Sequence, residues 1–295
     1  MTEKNSRKSY IFAGLTVLMW STVATAFKLG LDYLSPANLL FYSSLTSLVF
    51  FSILILFQKK RKELFSLKNI LNSAIFGFLN PFLYYLILFE AYNLLPAQIA
   101  QPLNYTWVIV VTLLMAFFMK QKLDIISIIG LLISFSGVVF LSSQGSLPGI
   151  GEINILGVIL ALSSSLFWGL YWLLNLRDRR EDSHKLLLNF LFGTIFILIY
   201  ILLTEDLQFS KNGLFSGIYI GLFEMGVTFF VWLKALKYAE STAKTGSIIY
   251  LSPFISLLFI SFVLGEQISS VAIIGLSLII LGIILPKAKL LFFKS

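Results

Sequence analysis

Glu224 stands alone in a long apolar run, eleven residues after Gly213 and ten before Lys234. At 1.5 Å per helical residue, that places its carboxylate about 15 Å from either end of a span. Insertion of a charge at such depth costs at least roughly 2.5–3.5 kcal/mol, so the group must face protein or water rather than lipid. Its chemistry there would be to carry a proton or to pair with an amine. Gly213, Gly217 and Gly221 precede it at four-residue spacing, a small-residue stripe that lets another helix approach closely. On a continuous helix Glu224 lies within about 20° of that stripe, and Thr228 continues the same face.

Further polar groups gather at comparable depth. Asn80-Pro81 falls at the middle of the run 69–91, where proline frees a carbonyl that is tolerated only beside protein or a cavity. Tyr84 and Tyr85 follow within one turn. Gln98, Gln101 and Tyr105 are spaced to share a helix face. Uncharged amides and hydroxyls suit a polar or zwitterionic solute better than a phosphate ester, which calls for Arg or Lys. Trp168 and Tyr171 gather near one end of the run 153–174, behind a small stripe of Gly157, Ala161, Ser165 and Gly169. Trp20 and Tyr250 complete the candidates. A simple kink, an interhelical hydrogen bond or an interfacial aromatic belt competes with a binding role at each. A metal centre is not expected, since the chain has one histidine and no cysteine, and no cofactor is implied.

The elements that hold these residues are apolar helices. The 295-residue chain is 58% hydrophobic and 12% charged, with a mean hydropathy of +0.91. A soluble domain carries roughly twice that charged fraction. Runs of about 20 apolar residues, enough to cross a core of about 30 Å, occur near 10–28, 37–57, 69–91, 96–118, 124–143, 153–174, 185–203, 212–234, 242–264 and 269–286. They are continuous rather than alternating, which argues against a β-barrel. The expectation is an all-α membrane protein of ten transmembrane helices.

Loop charge orients them. All of the 22 basic residues except Lys28 and Lys211 fall in the two tails and the even-numbered loops, including Lys59, Lys60, Arg61, Lys62, Lys120, Lys122, Arg177 and Arg179. Basic loops stay cytoplasmic, so both termini are expected there. The net charge of +8 is thereby explained by the lipid bilayer, and no nucleic-acid partner is expected. Ala24-Thr25-Ala26 after a basic tail resembles a signal-peptide cleavage site, but the repeat described next requires the first helix.

Shifting the chain by about 145 residues aligns its halves. Ile128-Ile129-Gly130-Leu131 with Gly137 matches Ile273-Ile274-Gly275-Leu276 with Gly282, and Tyr105 falls on Tyr250. Trp20-Ser21 resembles Trp168-Gly169 at a slightly larger shift. Five helices per half is an odd number, so the second copy must enter from the opposite face. The basic loop holding Lys120 and Lys122 corresponds to Gly265-Glu266-Gln267, the opposite charge at the same position. Two inverted five-helix repeats are expected, 1–147 and 148–295.

With Trp20-Ser21, Trp168-Gly169, Pro253, Gly265-Glu266, Gly275 and Gly282 in place, the chain resembles the drug/metabolite transporter superfamily, EamA type, over nearly its whole length. The resemblance implies a permease, usually an exporter of amino acids or other metabolites, with a central cavity lined by helices 1, 3, 4, 6, 8 and 9. The expectation is a multi-pass secondary transporter in a bacterial plasma membrane, exporting amino-acid-like solutes by alternating access and coupled to protons through Glu224. It would act as a monomer or homodimer. An uncoupled facilitator of the same fold competes, as does a lipid-linked substrate flippase. An enzyme would need a reactive constellation that the sequence does not offer.

Overall fold

A computed structural model describes residues 4–57, 66–118, 124–142, 153–175, 178 and 180–292. The basic residues at 59–62, 120 and 122, the turn at 144–149, Glu152, Arg177, Arg179 and Lys294 lie outside them, and so do the side chains of Trp172, Lys287 and Lys289. Among the described residues every regular element is helical.

The first half contains α1 (Ser6–Leu31), α2 (Pro36–Leu56), α3 (Leu67–Gly77), a π-helical turn Phe78–Leu83, α4 (Tyr84–Leu94), α5 (Ala97–Tyr105), α6 (Trp107–Phe118) and α7 (Ile125–Ser142). The second contains α8 (Ile155–Asn175), α9 (Asp182–Thr204), α10 (Lys211–Phe223), α11 (Val227–Tyr238), α12 (Thr242–Ser247), a 3-10 turn Ile248–Leu251, α13 (Ser252–Leu264) and α14 (Ser270–Phe292). Eight stretches are long and apolar enough to cross a bilayer, and two shorter apolar helices, Ile125–Leu141 and Ser270–Pro286, accompany them. Large apolar side chains such as Phe117 and Phe262, 80% and 87% exposed, face outward along the helices, where lipid rather than water must solvate them. The chain is a multi-pass membrane protein.

Short polar side chains fix the helix ends. Asn5, Ser35, Ser66, Ser210 and Ser241 each accept a backbone N–H in the first turn of α1, α2, α3, α10 and α12. Gly265, at φ 69°, stops α13 in the left-handed conformation that glycine adopts without cost.

Packing is repeated between the halves. α1 lies against α11 and α13, as α8 lies against α4 and α6; α2 lies against α10, as α9 lies against α3. α7 and α14 run antiparallel at close range: a Cβ on Gly130 would stand 2.5 Å from Gly282 O, and one on Gly137 would stand 2.7 Å from Gly275 O. The glycine stripe of α10 meets α2 and the turn before it, with Gly213 on Leu34 of the turn, and Gly217 on Tyr42 and Gly221 on Ser43 and Thr46 of α2. The stripe of α8 meets Leu95 at Gly157 and Val110 at Gly169.

Candidate functional site: a cavity where four spans break

Four helical spans interrupt their hydrogen bonding near mid-depth. α3 gives way to α4 at Asn80, whose φ −151° and ψ 119° are extended, next to Pro81. α5 gives way to α6 at Thr106, α10 to α11 at Glu224–Gly226, and α12 to α13 through Ile248–Leu251. In hydrocarbon a freed carbonyl must find a partner within the protein. At the α10 break the accounting is visible. Ser47 Oγ donates to Gly221 O at 2.8 Å, Thr228 Oγ1 to Phe223 O, and Trp20 Nε1 to Glu224 O at 3.5 Å. Thr106 Oγ1 likewise donates to Leu103 O at 2.6 Å, and Ser165 Oγ donates to Asn104 O at 2.9 Å. Ser21 Oγ donates to Ser252 O at 3.1 Å beside the fourth break.

Between these breaks lies a cavity of about 90 Å³, room for a few waters or one small solute group. Of the residues singled out in the sequence, Glu224, Tyr84, Gln101, Tyr105, Trp168 and Trp20 line it. Tyr85 stands behind the wall, fully buried, and donates its hydroxyl to Glu224 Oε1 at 3.0 Å. Among the described residues Glu224 Oε2 has no hydrogen-bond partner. Tyr171 stacks on Trp168 with centroids 5.7 Å apart. Asn80 is buried behind it and hydrogen-bonds Tyr171.

The remaining candidates sit elsewhere. Thr228 is buried and closes the α10 break rather than lining the cavity. Tyr250 is buried one residue past Ile249, which does line it. Gln98 turns toward the α13–α14 connection: its Nε2 donates to Gln267 O at 3.0 Å and its Oε1 accepts from Ser269 N at 2.8 Å. The shared face of Gln98, Gln101 and Tyr105 is therefore divided between two tasks. Glu224 also leaves the glycine stripe. α10 ends at Phe223, so the rotation of a continuous helix does not extend to the next residue, and the carboxylate meets Trp20 and Tyr85 while the glycines meet α2.

Asn104, Tyr92, Trp107 and Phe229 line the cavity without having been marked as candidates. Asn104 follows Gln98 and Gln101 at the same three-residue spacing, and Tyr92 is two helical turns beyond Tyr85, so both carried a faint periodic signal. Asn104 accepts from the Tyr84 hydroxyl at 3.4 Å and donates to Ser164 Oγ at 3.0 Å.

One end of the cavity is clasped. Lys28 Nζ donates to Tyr92 O at 2.8 Å and Leu95 O at 3.2 Å, capping the carbonyl end of α4. Glu266 accepts from Ala97 N at 2.9 Å and Gln98 N at 3.3 Å, at the amide end of α5, and each charge suits the helix end it meets. Phe27 closes beneath them against Phe89 and Tyr92, at 4.5 and 5.1 Å. At the opposite end α8 has no comparable packing on α11 or α12 among the described residues, and it meets α11 through the rings of Trp168 and Phe229, 6.1 Å apart.

A cavity between broken helical spans suits a protein that passes a solute, and known proteins point to the same class. The sequence profile of the EamA-like transporter family matches residues 7–143 and again 155–286. The chain belongs to the EamA-like transporter family. It is 26% identical over 287 residues to an uncharacterized transporter of Archaeoglobus fulgidus, covering 96% of this chain and 98% of that one. It is 25% identical over 298 residues to the uncharacterized transporter YvbV of Bacillus subtilis, covering 98% and 94%. A crystal structure at 19% identity superposes with a TM-score of 0.68 over 97% of this chain and 98% of the other, which is a likeness of fold.

Proposed function

We propose that this membrane transporter moves small polar metabolites across the cell membrane by alternating access, exporting amino-acid-like solutes, with Glu224 as the binding and coupling carboxylate. In this reading Ile125–Leu141 and Ser270–Pro286 are the fifth and tenth spans, both termini are cytoplasmic, and 1–147 and 148–295 are inverted repeats. The observation that carries it is the position of Glu224, whose carboxylate enters a cavity lined from both halves at the break between α10 and α11.

The repeated packing supports the inversion. Gly130 against Gly282 and Gly137 against Gly275 are the same pair with the halves exchanged, given the shift of about 145 residues. The family profile also matches twice in tandem. Such repeats permit two states that open one central site to opposite faces. The clasp of Lys28 and Glu266 then closes the outer end, and the sparser packing between α8 and α11 leaves the cytoplasmic end as the route of loading. This is the state in which an exporter would take up its solute from the cytoplasm.

Counterflow in proteoliposomes tests the proposal. A saturable, pH-dependent flux of a small amine-bearing metabolite is expected, with loss of the pH dependence in Glu224→Gln. Flux that keeps its pH dependence in that variant would remove the coupling role and leave a facilitator.

A further inference from the structure

More than half of the residues lining the cavity are aromatic, and the one charged side chain among them is a carboxylate. We propose that the cavity receives the protonated primary or secondary amino group of an organic cation with an apolar or aromatic body, and that a free carboxylate beside that group is disfavoured. This rests on the cavity being the transport site; it keeps the amine of the amino-acid-like solutes and departs from them at the carboxylate.

Charge comes first. Among the lining residues Glu224 has no Lys, Arg or His for company. Lys28, one turn beyond Ala24 on α1, already donates to Tyr92 O and Leu95 O in the clasp. A zwitterion could offer its ammonium to Glu224, but its own carboxylate would be stripped of water with no cation to meet it, an arrangement that proteins avoid.

The rings supply the second argument. Trp20, Tyr84, Trp168 and Phe229 line the same cavity as the carboxylate. The negative face of an aromatic ring attracts a cation within about 6 Å, most strongly for tryptophan, and the attraction grows where water is excluded. Trp168 lies between two stacked tyrosines, 4.7 Å from Tyr84 and 5.7 Å from Tyr171, which cover its faces, so the attraction falls to the other rings of the wall, Trp20 and Phe229.

The third argument concerns hydrogen bonds. Gln101 is 5% exposed, and its Oε1 has no partner among the described residues. A buried acceptor left without a donor is costly. Glu224 Oε2 likewise has no partner among the described residues, whereas Oε1 is taken by Tyr85. An ammonium with several N–H donors can satisfy both oxygens at once. A quaternary ammonium has the charge but no donor for Gln101.

Trp20, Trp107 and Trp168 line the cavity, so tryptophan fluorescence of the full chain in nanodiscs reports its occupancy. Phenethylamine, L-phenylalanine, 3-phenylpropionate and phenyltrimethylammonium share a ring and differ in the charged group. Phenethylamine is expected to bind at least tenfold more tightly than phenylalanine or phenylpropionate, and several-fold more tightly than phenyltrimethylammonium. Glu224→Gln should weaken phenethylamine at least tenfold and Gln101→Leu several-fold, with thermal melting confirming that each variant is folded. Phenylalanine binding as tightly as phenethylamine, or no phenethylamine binding to the unaltered protein, would overturn the cation class. Counterflow of phenylalanine without amine flux would do the same while leaving the exporter reading standing. Absence of flux for every amine and amino acid would sink the exporter reading itself.

Discussion

The Tyr85 hydroxyl meets Glu224 Oε1 at 3.0 Å, joining the helix that follows the Asn80-Pro81 break to the break between α10 and α11. The bond links the two halves at the depth where both lose helical hydrogen bonding, and it leaves the other carboxylate oxygen to the cavity. Tyr85→Phe keeps the ring and removes the bond. A hydrogen bond to a charged group is worth about 1.5–3 kcal/mol, and this one is made without solute, so the variant is expected to melt lower than the parent; the carboxylate is no longer held in place, and solute affinity is expected to fall about tenfold. Equilibrium binding by tryptophan fluorescence measures this, and unchanged affinity would separate Tyr85 from the function of Glu224.

The clasp at the Lys28 end predicts a change in access. The chain contains no cysteine, so Leu88→Cys places a single thiol in the cavity wall. A membrane-impermeant maleimide applied from the outer side should label it slowly. Adding Lys28→Met or Glu266→Gln removes donors or acceptors at the ends of α4 and α5 and should raise the labelling rate several-fold. Equal rates in all three proteins would show that the clasp does not gate the cavity.

Close packing of α7 on α14 predicts a sharp contrast between glycines. A Cβ at Gly282 would collide with Gly130 O and Ser134 Oγ, whereas one at Gly14 would meet nothing within 4 Å. Gly282→Ala is expected to cost about 1–3 kcal/mol through forced separation of the two helices. Gly14→Ala should be neutral or add up to about 1 kcal/mol by restricting the unfolded backbone. Thermal unfolding in detergent distinguishes them, and similar melting temperatures would contradict the tight α7–α14 contact.

An ion pair outside the spans carries a pH signature. Arg180 binds Asp178 at 2.6 Å and reaches α3 through Asn69 O at 3.1 Å and Ser73 Oγ at 2.7 Å. Partial burial pushes the Asp178 carboxyl up, but the hydrogen bonds and charge of Arg180 outweigh it and hold the group below its ordinary value. The resulting stability is present above the ordinary carboxylate range, near pH ~4, and fades as pH falls through that range and below it. Asp178→Asn should therefore melt lower than the parent at neutral pH and converge with it in acid. A difference that persists unchanged at low pH would exclude the ion pair as its cause.

Much of the fold was legible because a bilayer imposes one dominant constraint. The apolar windows match the helices to within a few residues, since backbone groups in hydrocarbon have no alternative to helical pairing. The break at Pro81 was legible from the proline itself. Those at Thr106 and Glu224–Gly226 were not, since Pro102 lies inside α5 and no proline marks the α10 break, which falls between Phe223 and Val227. That omission explains the misplaced rotation of Glu224 relative to the glycine stripe, because a helical wheel holds only along unbroken helix. Depth along the chain located Glu224, Tyr84, Gln101, Tyr105, Trp168 and Trp20 in one region. The diversion of Gln98 to Gln267 and Ser269 depends on a loop 169 residues away in sequence, which no local pattern reports. Tyr92 and Phe229 were indistinguishable from the many aromatic residues that face lipid or other helices.

The central claim is that Glu224 marks the transport centre, and solute counterflow in proteoliposomes across a range of pH tests it most directly. The parent protein should show saturable, pH-dependent flux, and a folded Glu224→Gln variant should lose at least nine-tenths of that flux, by analogy with the tenfold effect of about 1.4 kcal/mol, together with its pH dependence. Parent-like flux and an unchanged pH profile in the variant would contradict the account.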